Sequence, residues 1–297
     1  MFYSKKKTQF LNIQSDTSLN YDISIVIPVH NNWEITQKCI EDLYKNSSSK
    51  FEIIIVDNNS SDGTQIQLQN LYEQRKLKFI RNDFDNTYSK ANNQGANIAS
   101  GKYLVFLNND VSVWKNWDRA IISSFEANNE IGIQGARLLY PQGFIQHAGI
   151  VFRQLPNGLK VHYHIYLGKQ WNSPCVSKSR EFQCVTGALL AIRRDLFEQI
   201  GGFDEIYVFG HEDLDLCIST RARNYKVWYN AECIAFHYES MTKKIKGLEK
   251  FELKLNDPNS IDYKNYVYFH RKWGDFVEVD DYKYYLEDDE VNPFARK

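Results

Sequence analysis

Runs rich in Val and Ile recur at even intervals through the first 110 residues: "DISIVIPVH" from Asp22, "FEIIIVDNN" from Phe51, "LKFIRND" from Leu77 and "KYLVFLNND" from Lys102. Between them lie stretches with helical spacing, from about Trp33 to Tyr44, Thr64 to Arg75 and Ser89 to Ala99. A strand that is apolar without alternation has no face for water, so both of its faces must be covered. Helices alternating with such strands supply that cover, which predicts an α/β fold with a mostly parallel sheet flanked by helices.

The same runs share a second property. Those at 22–30, 51–59 and 102–110 finish in His30-Asn31, Asp57-Asn58 and Asn108-Asn109-Asp110. Ligands of open α/β sheets bind beyond such carboxyl ends. The turn "IPVHNN" has no glycine, which excludes a GxGxxG dinucleotide loop, and "GANIASGKY" misses the P-loop spacing and puts Tyr103 where a metal-binding hydroxyl belongs. What remains is a site of carboxylates and amides suited to a base, a ribose and a divalent metal holding phosphates. Asp57 is placed to accept from a pyrimidine imide and Asp110 to ligate the metal; Pro28, His30, Asn59, Asn93 and Asn109 are further candidates for donor contact.

Composition narrows the partners. A chain of 297 residues with a formal charge of −1 is no general polyanion binder, so nucleic acid is not expected. The apolar runs are too short to cross a bilayer, and the N-terminus lacks the apolar core of a secretion signal. These features predict a cytoplasmic protein without a transmembrane segment, compatible with peripheral association at the inner face of a membrane. Five cysteines form no CxxC pair and are expected to be reduced, mostly buried thiols.

Past residue 111 the pattern turns to mixed strands and turns. A helix over 193–200 is closed by Gly201-Gly202. Next comes "HEDLD", His211 to Asp215, whose Glu212 and Asp213 fall in the first turn of a helix. Acids there complement the helix dipole, so the cluster alone does not declare chemistry. His147, His162 and His164 read as structural histidines. In the charged, aromatic tail, Tyr266, Phe269 and Trp273 fall on one helical face. The expected organisation is an N-terminal extension over 1–20 and one domain over 21–241. That domain would have a donor half to about 110 and an acceptor half beyond, followed by a helical extension over 242–297 packed on it.

"SIVIPVHNN", "IIIVDNNSSDGT", "SKANNQGANIASGKYLVFLNND", "LLYPQGFIQHAGI", "TGALLAIRRDLFEQIGGFDE" and "HEDLDLCISTRARNYKVWYNAECIAFH" follow one another here as in the family 2 glycosyltransferases. The resemblance spans roughly residues 22 to 240. It implies a GT-A-like, Rossmann-type fold, a nucleotide-sugar donor with uridine diphosphate favoured, Mn²⁺ or Mg²⁺, and inversion at the anomeric carbon. The acceptor would be a glycan, lipid-linked or protein hydroxyl. By the same resemblance Asp57 binds the nucleoside, Asp110 of "NND" ligates metal and Asp213 is the catalytic base. Glu212 would orient the acceptor or pair with a cation, and His237 after the last strand completes the metal site. Two positions depart from the family pattern: Asn108 stands first in the DxD-like motif, and Thr87 replaces a glycine before "YSKANN". A sugar-phosphate nucleotidylyltransferase would need the glycine-rich first loop that "IPVHNN" lacks. A non-catalytic nucleotide-sugar or carbohydrate-binding module would not need Asp57, Asp110, Asp213 and His237 together.

Overall fold

The computed structural model describes residues 21–238 and 257–294, so the expected extension over 1–20 lies outside the described residues. The first half follows the alternation read from the sequence. The elements are β1 (Ile23–Val29), α1 (Trp33–Asn46), β2 (Phe51–Asn58), α2 (Thr64–Glu73), β3 (Lys78–Asn82), α3 (Tyr88–Asn97) and β4 (Tyr103–Leu107). These four strands are parallel, in spatial order β4-β1-β2-β3. Successive β1 residues go to opposite layers: Ile23, Ile25 and Ile27 join a core that includes Leu43, Trp117 and Phe125, while Val26 joins one that includes Ala91 and Phe106. Both faces are therefore apolar because both are covered.

Beyond β4 the sheet changes sense. The chain continues through β5 (Val111–Val113), α4 (Trp117–Ala127), β6 (Ile131–Leu139), β7 (Ile145–His147), β8 (Ile150–Gln154), β9 (Lys160–His164), β10 (Arg180–Phe182), β11 (Leu189–Arg193), α5 (Arg194–Ile200), α6 (Glu212–Arg221) and β12 (Lys226–His237). β11 runs antiparallel to β4 and to β6, and β12 lies parallel to β6. β5 pairs antiparallel with the end of β12, and β8-β9 form a separate hairpin. Gly201 and Gly202 adopt φ of 93° and 86°, and both amides return to Phe197 O at 3.1 Å, closing α5 as its sequence requires.

The described part of the C-terminal region holds α7 (Ile261–Trp273) and α8 (Asp281–Glu287). Tyr266 and Phe269 of α7 are buried, and the Trp273 indole N–H donates to Asp215 of α6 at 2.6 Å. Lys272 reaches Asp204 and Asp215, both at 2.9 Å. At α8, Arg180 pairs with Asp288, which Tyr166 also contacts. All five cysteines are free and buried. Among the described residues no helix is long and apolar enough to cross a membrane.

Candidate active site

The carboxyl ends of β1 and β2 form one stitched edge. Asn31 and Asn32 both take left-handed backbone, φ 58° and 61°, and so turn the chain into α1 without a glycine. Ser60 Oγ accepts from Asn31 N at 2.7 Å, and Asn31 Oδ1 accepts from Ser61 N at 2.8 Å. Asp62 accepts from Asn32 N and from the Thr64 hydroxyl, each at 2.6 Å. Burial works against its charge, but these hydrogen bonds outweigh burial and lower its pKa. His30 is exposed on this edge, its Nδ1 donating to Asn58 O at 2.6 Å. Half-buried Pro28 precedes it in β1, and exposed Asn59 has φ 63°.

Asp57 is fully buried. Its Oδ1 accepts from Ser60 N at 3.0 Å, and its Oδ2 is paired with Arg81, the residue directly across in β3. Arg81 also donates to Ser60 O at 2.9 Å and keeps 26% of its side chain exposed. The pair therefore presents the guanidinium outward, with the carboxylate behind it. An amide network continues the edge: Asn82 donates to Asn58 Oδ1 at 2.9 Å, and Gln94 donates back to Asn82 at 3.0 Å.

The second group forms where β4 ends. Asp110 lies 3.2 Å from His237 Nε2, which β12 carries to this point by pairing His237 with Val111. Asn108 Nδ2 stands 3.4 Å from the same ring nitrogen. His237 Nδ1 is held by Gln146 Oε1 at 2.7 Å. An amide oxygen only accepts, so Nδ1 carries a proton and Nε2 is the nitrogen that faces the Asp110 carboxylate. A carboxylate oxygen and a ring nitrogen that close have either a proton or a cation between them. One carboxylate oxygen and one imidazole nitrogen, with the far ring nitrogen fixed by an amide, is a donor set that suits Mn²⁺. Asn109 turns away, its amide donating to Thr36 of α1 at 2.9 Å.

The third group faces the second because β11 is reversed. Leu189 pairs with Leu107, so Asn108 N reaches Ala188 O at 3.0 Å, and Gly187 arrives at the same end of the sheet. Gly187 N donates to Asp213 Oδ2 at 2.8 Å, while Leu214 N donates to Asp213 Oδ1 at 2.9 Å. Burial raises the Asp213 carboxyl above the ordinary value of 3.8, although those hydrogen bonds and nearby His164 oppose it. Tyr88 donates to Gly187 O at 2.8 Å. Burial, then Glu212 and Asp213, hold its phenol well above its ordinary pKa, so it remains an O–H donor. Glu212 is buried at 8% exposure, whereas Asp213 is only half-buried.

The family model described as "Glycosyl transferase family 2" matches residues 24–201. The chain belongs to glycosyltransferase family 2. This family 2 chain is 28% identical over 248 residues to "O-antigen biosynthesis protein RfbC" of Myxococcus xanthus, an alignment that spans 79% of the chain but 18% of that protein. Among solved structures it superposes on GalNAc-T7 with UDP, GalNAc and Mn²⁺ at a TM-score of 0.68 and 15% identity, covering 92% of the chain and 56% of that one. It also superposes on the mannosyltransferase PcManGT from Pyrobaculum calidifontis with GDP-Man and Mn²⁺, at 0.53 and 13%, covering 91% and 80%. The fold is the GT-A type.

For this family 2 chain, the sequence-expected residues divide by what their side chains do. Asp110 and His237 are neighbours, and Asp213, in the first turn of α6, is held by the Gly187 peptide just before β11. Asn93 is committed elsewhere, donating to Phe203 O at 2.9 Å and to Glu205 at 3.0 Å and accepting from Phe203 N at 2.9 Å. Gly95 is a packing residue: a Cβ there would lie 2.3 Å from Val26 Cγ1. Thr87, the departure before "YSKANN", caps α3, its hydroxyl accepting from Lys90 N at 3.3 Å. Arg81, Gln146 and Tyr88 were not singled out from sequence. A cation opposite a strand-end aspartate in the next parallel strand was the one available signal, and it points to Arg81.

Proposed function

We propose that the chain transfers a sugar from a nucleoside diphosphate, with a UDP-sugar favoured, to a hydroxyl of a glycan, lipid-linked or protein acceptor, with inversion by single displacement. One observation carries the reading: Asp110, beside His237, follows the end of β4, and the Gly187 peptide that holds Asp213 of α6 precedes the reversed β11 at that same end of the sheet. Asp213, with its raised pKa and two backbone donors fixing its carboxylate, takes the acceptor proton as the hydroxyl oxygen forms the bond to C1. The bond from C1 to the phosphate oxygen breaks, and the electron pair leaves with the diphosphate. Asp57, Arg81 and His30 bind and orient the nucleoside end, and Tyr88 holds the Gly187 peptide against which Asp213 is set. Asp110 and His237 would hold a divalent metal, whose contribution is to neutralise the departing diphosphate.

The carrier preference follows the UDP bound in GalNAc-T7; the GDP-Man of the Pyrobaculum calidifontis mannosyltransferase makes guanosine the competitor. Thermal-shift titration with UDP, GDP and dTDP, with and without Mn²⁺, tests this, because a ligand of the native state raises its stability. UDP with Mn²⁺ should give the largest shift. No shift with any of the three would remove the donor reading.

A further inference from the structure

A cluster of aromatic rings lies where β5 ends beside β12, apart from the Asp110–His237 pair at the start of β5. Trp114 directly follows β5 and extends its pairing, its N donating to Ile234 O at 2.9 Å. Its ring is nearly parallel to Phe236, 20° with centroids 5.7 Å apart, and to Trp171, 26° and 6.2 Å. Trp171 comes from the loop after β9 and is fixed twice through its backbone. Its N donates to Gly143 O at 3.2 Å, and its O accepts from Arg137 at 2.7 Å. Arg137 is itself buried and anchored on Ala231 O at 2.9 Å. Yet Trp114 and Trp171 each remain 44% exposed, and Phe144 beside the same turn 45%.

We propose that these rings bind the pyranose units of a carbohydrate acceptor, a subsite that rests on the glycosyltransferase reading and deepens it. Large flat rings held rigid and near-parallel, but left in water, fit a partner that is itself flat and presents C–H groups. The negative ring face attracts the electropositive C–H face of a pyranose, and the indole edges leave its hydroxyls hydrated. Position argues for an acceptor chain over an unrelated ligand. Asp110 precedes β5 and Trp114 follows it, so at strand rise the two are about 13 Å apart, the reach of about two or three linked pyranoses. Phe236 and His237 are adjacent in β12, which ties the rings and the metal-side group to one rigid strand. A saccharide whose terminal hydroxyl reaches Asp213 would then lay its preceding units along the rings.

The test uses the full chain and four hexasaccharide probes: cellohexaose, maltohexaose, chitohexaose and mannohexaose, with the matching monosaccharides as controls. Affinity electrophoresis and titration of the indole N–H resonances are the readouts. At least one hexasaccharide should bind, its monosaccharide should not, and the resonances of Trp114 and Trp171 should move ahead of those of buried Trp117. Trp114→Ala and Trp171→Ala should each weaken that binding by about tenfold, as expected when an aromatic anchor is truncated. Both should keep the wild-type thermal shift with UDP and Mn²⁺, which confirms their folding. Absence of binding to all four hexasaccharides, or equal binding by both alanine variants, overturns the subsite while the nucleotide shift still stands. Loss of the nucleotide shift in the wild type sinks the donor reading instead.

Discussion

Asp213 owes its orientation to two backbone amides and its raised pKa to burial, so replacing the carboxylate by an amide tests the proton-accepting role proposed for it. Asp213→Asn should lower turnover by about 10²-fold or more while UDP affinity stays near wild type. Glu212→Gln with an equal loss and Asp213→Asn with none would transfer the role to Glu212. Because the Asp213 pKa is raised and the base must be ionised, activity should fall on the acid side at a pH above the ordinary carboxyl value of 3.8. At the metal-side group, Gln146 fixes which nitrogen of His237 carries its proton. Gln146→Ala should raise the Mn²⁺ concentration for half-maximal activity by about tenfold, and His237→Ala by at least as much, with metal-free UDP binding unchanged. An unchanged Mn²⁺ titration in both variants would remove His237 from the metal shell. Asp57, Asp110, Asp213 and His237 could be picked out because each sits in a motif or at a strand end. Gln146 could not, because its role comes from a partner 91 residues away in the chain. Asn93 misled because an amide on a helix serves a neighbouring loop as readily as a ligand.

At the scale of elements, the parallel half was legible because a run apolar on both faces has few other solutions. The reversal of β11 was not. "TGALLAIRR" carries no mark of direction, and direction is decided by its pairing with β4 on one side and β6 on the other. α3 shows how close a helix can be drawn to the sheet. Gly95→Ala would place a methyl 2.3 Å from Val26 Cγ1, and overpacking of this kind costs about 1–3 kcal/mol. Chemical denaturation of the variant checks this. A loss well under 1 kcal/mol would mean that α3 lifts freely from β1. The Asn31-Asn32 turn makes the complementary point: two left-handed asparagines do what a glycine loop does elsewhere, while their side chains and amides bind the neighbouring turn.

Across the whole molecule, the C-terminal helices hold the second half of the domain through charged contacts, and these give stability a pH dependence of two signs. Burial raises the Asp280 carboxyl to about 6, while Phe152 N donates to it at 2.8 Å. A raised folded-state pKa means that the folded form binds the proton more tightly. This group's contribution therefore improves as pH falls from about 7 toward 4 and is lost as pH rises through 6. Asp204 and Asp288 are lowered: burial opposes their charge, but Lys272 outweighs it at Asp204 and Arg180 with Lys178 at Asp288. Their contributions are present above the ordinary carboxyl range and are lost as pH falls below it. Comparing melting temperatures of wild type and Asp280→Asn, the difference should move in favour of the wild type between pH 7 and pH 5. A constant difference would show Asp280 to be ordinary. The reversed β11 also sets the order in which the site comes into being. During synthesis the β1–β2–β3 edge with its amide network is complete once α3 has emerged, but Asp110 waits for a histidine 127 positions later, and β6 waits for β12 to cover its open side. A ribosome stalled before residue 226 would hold a chain with a donor edge, no histidine beside Asp110 and an unpaired strand edge, the kind of surface that recruits other chains. Premature termination in this stretch should therefore yield aggregates and no weakened enzyme.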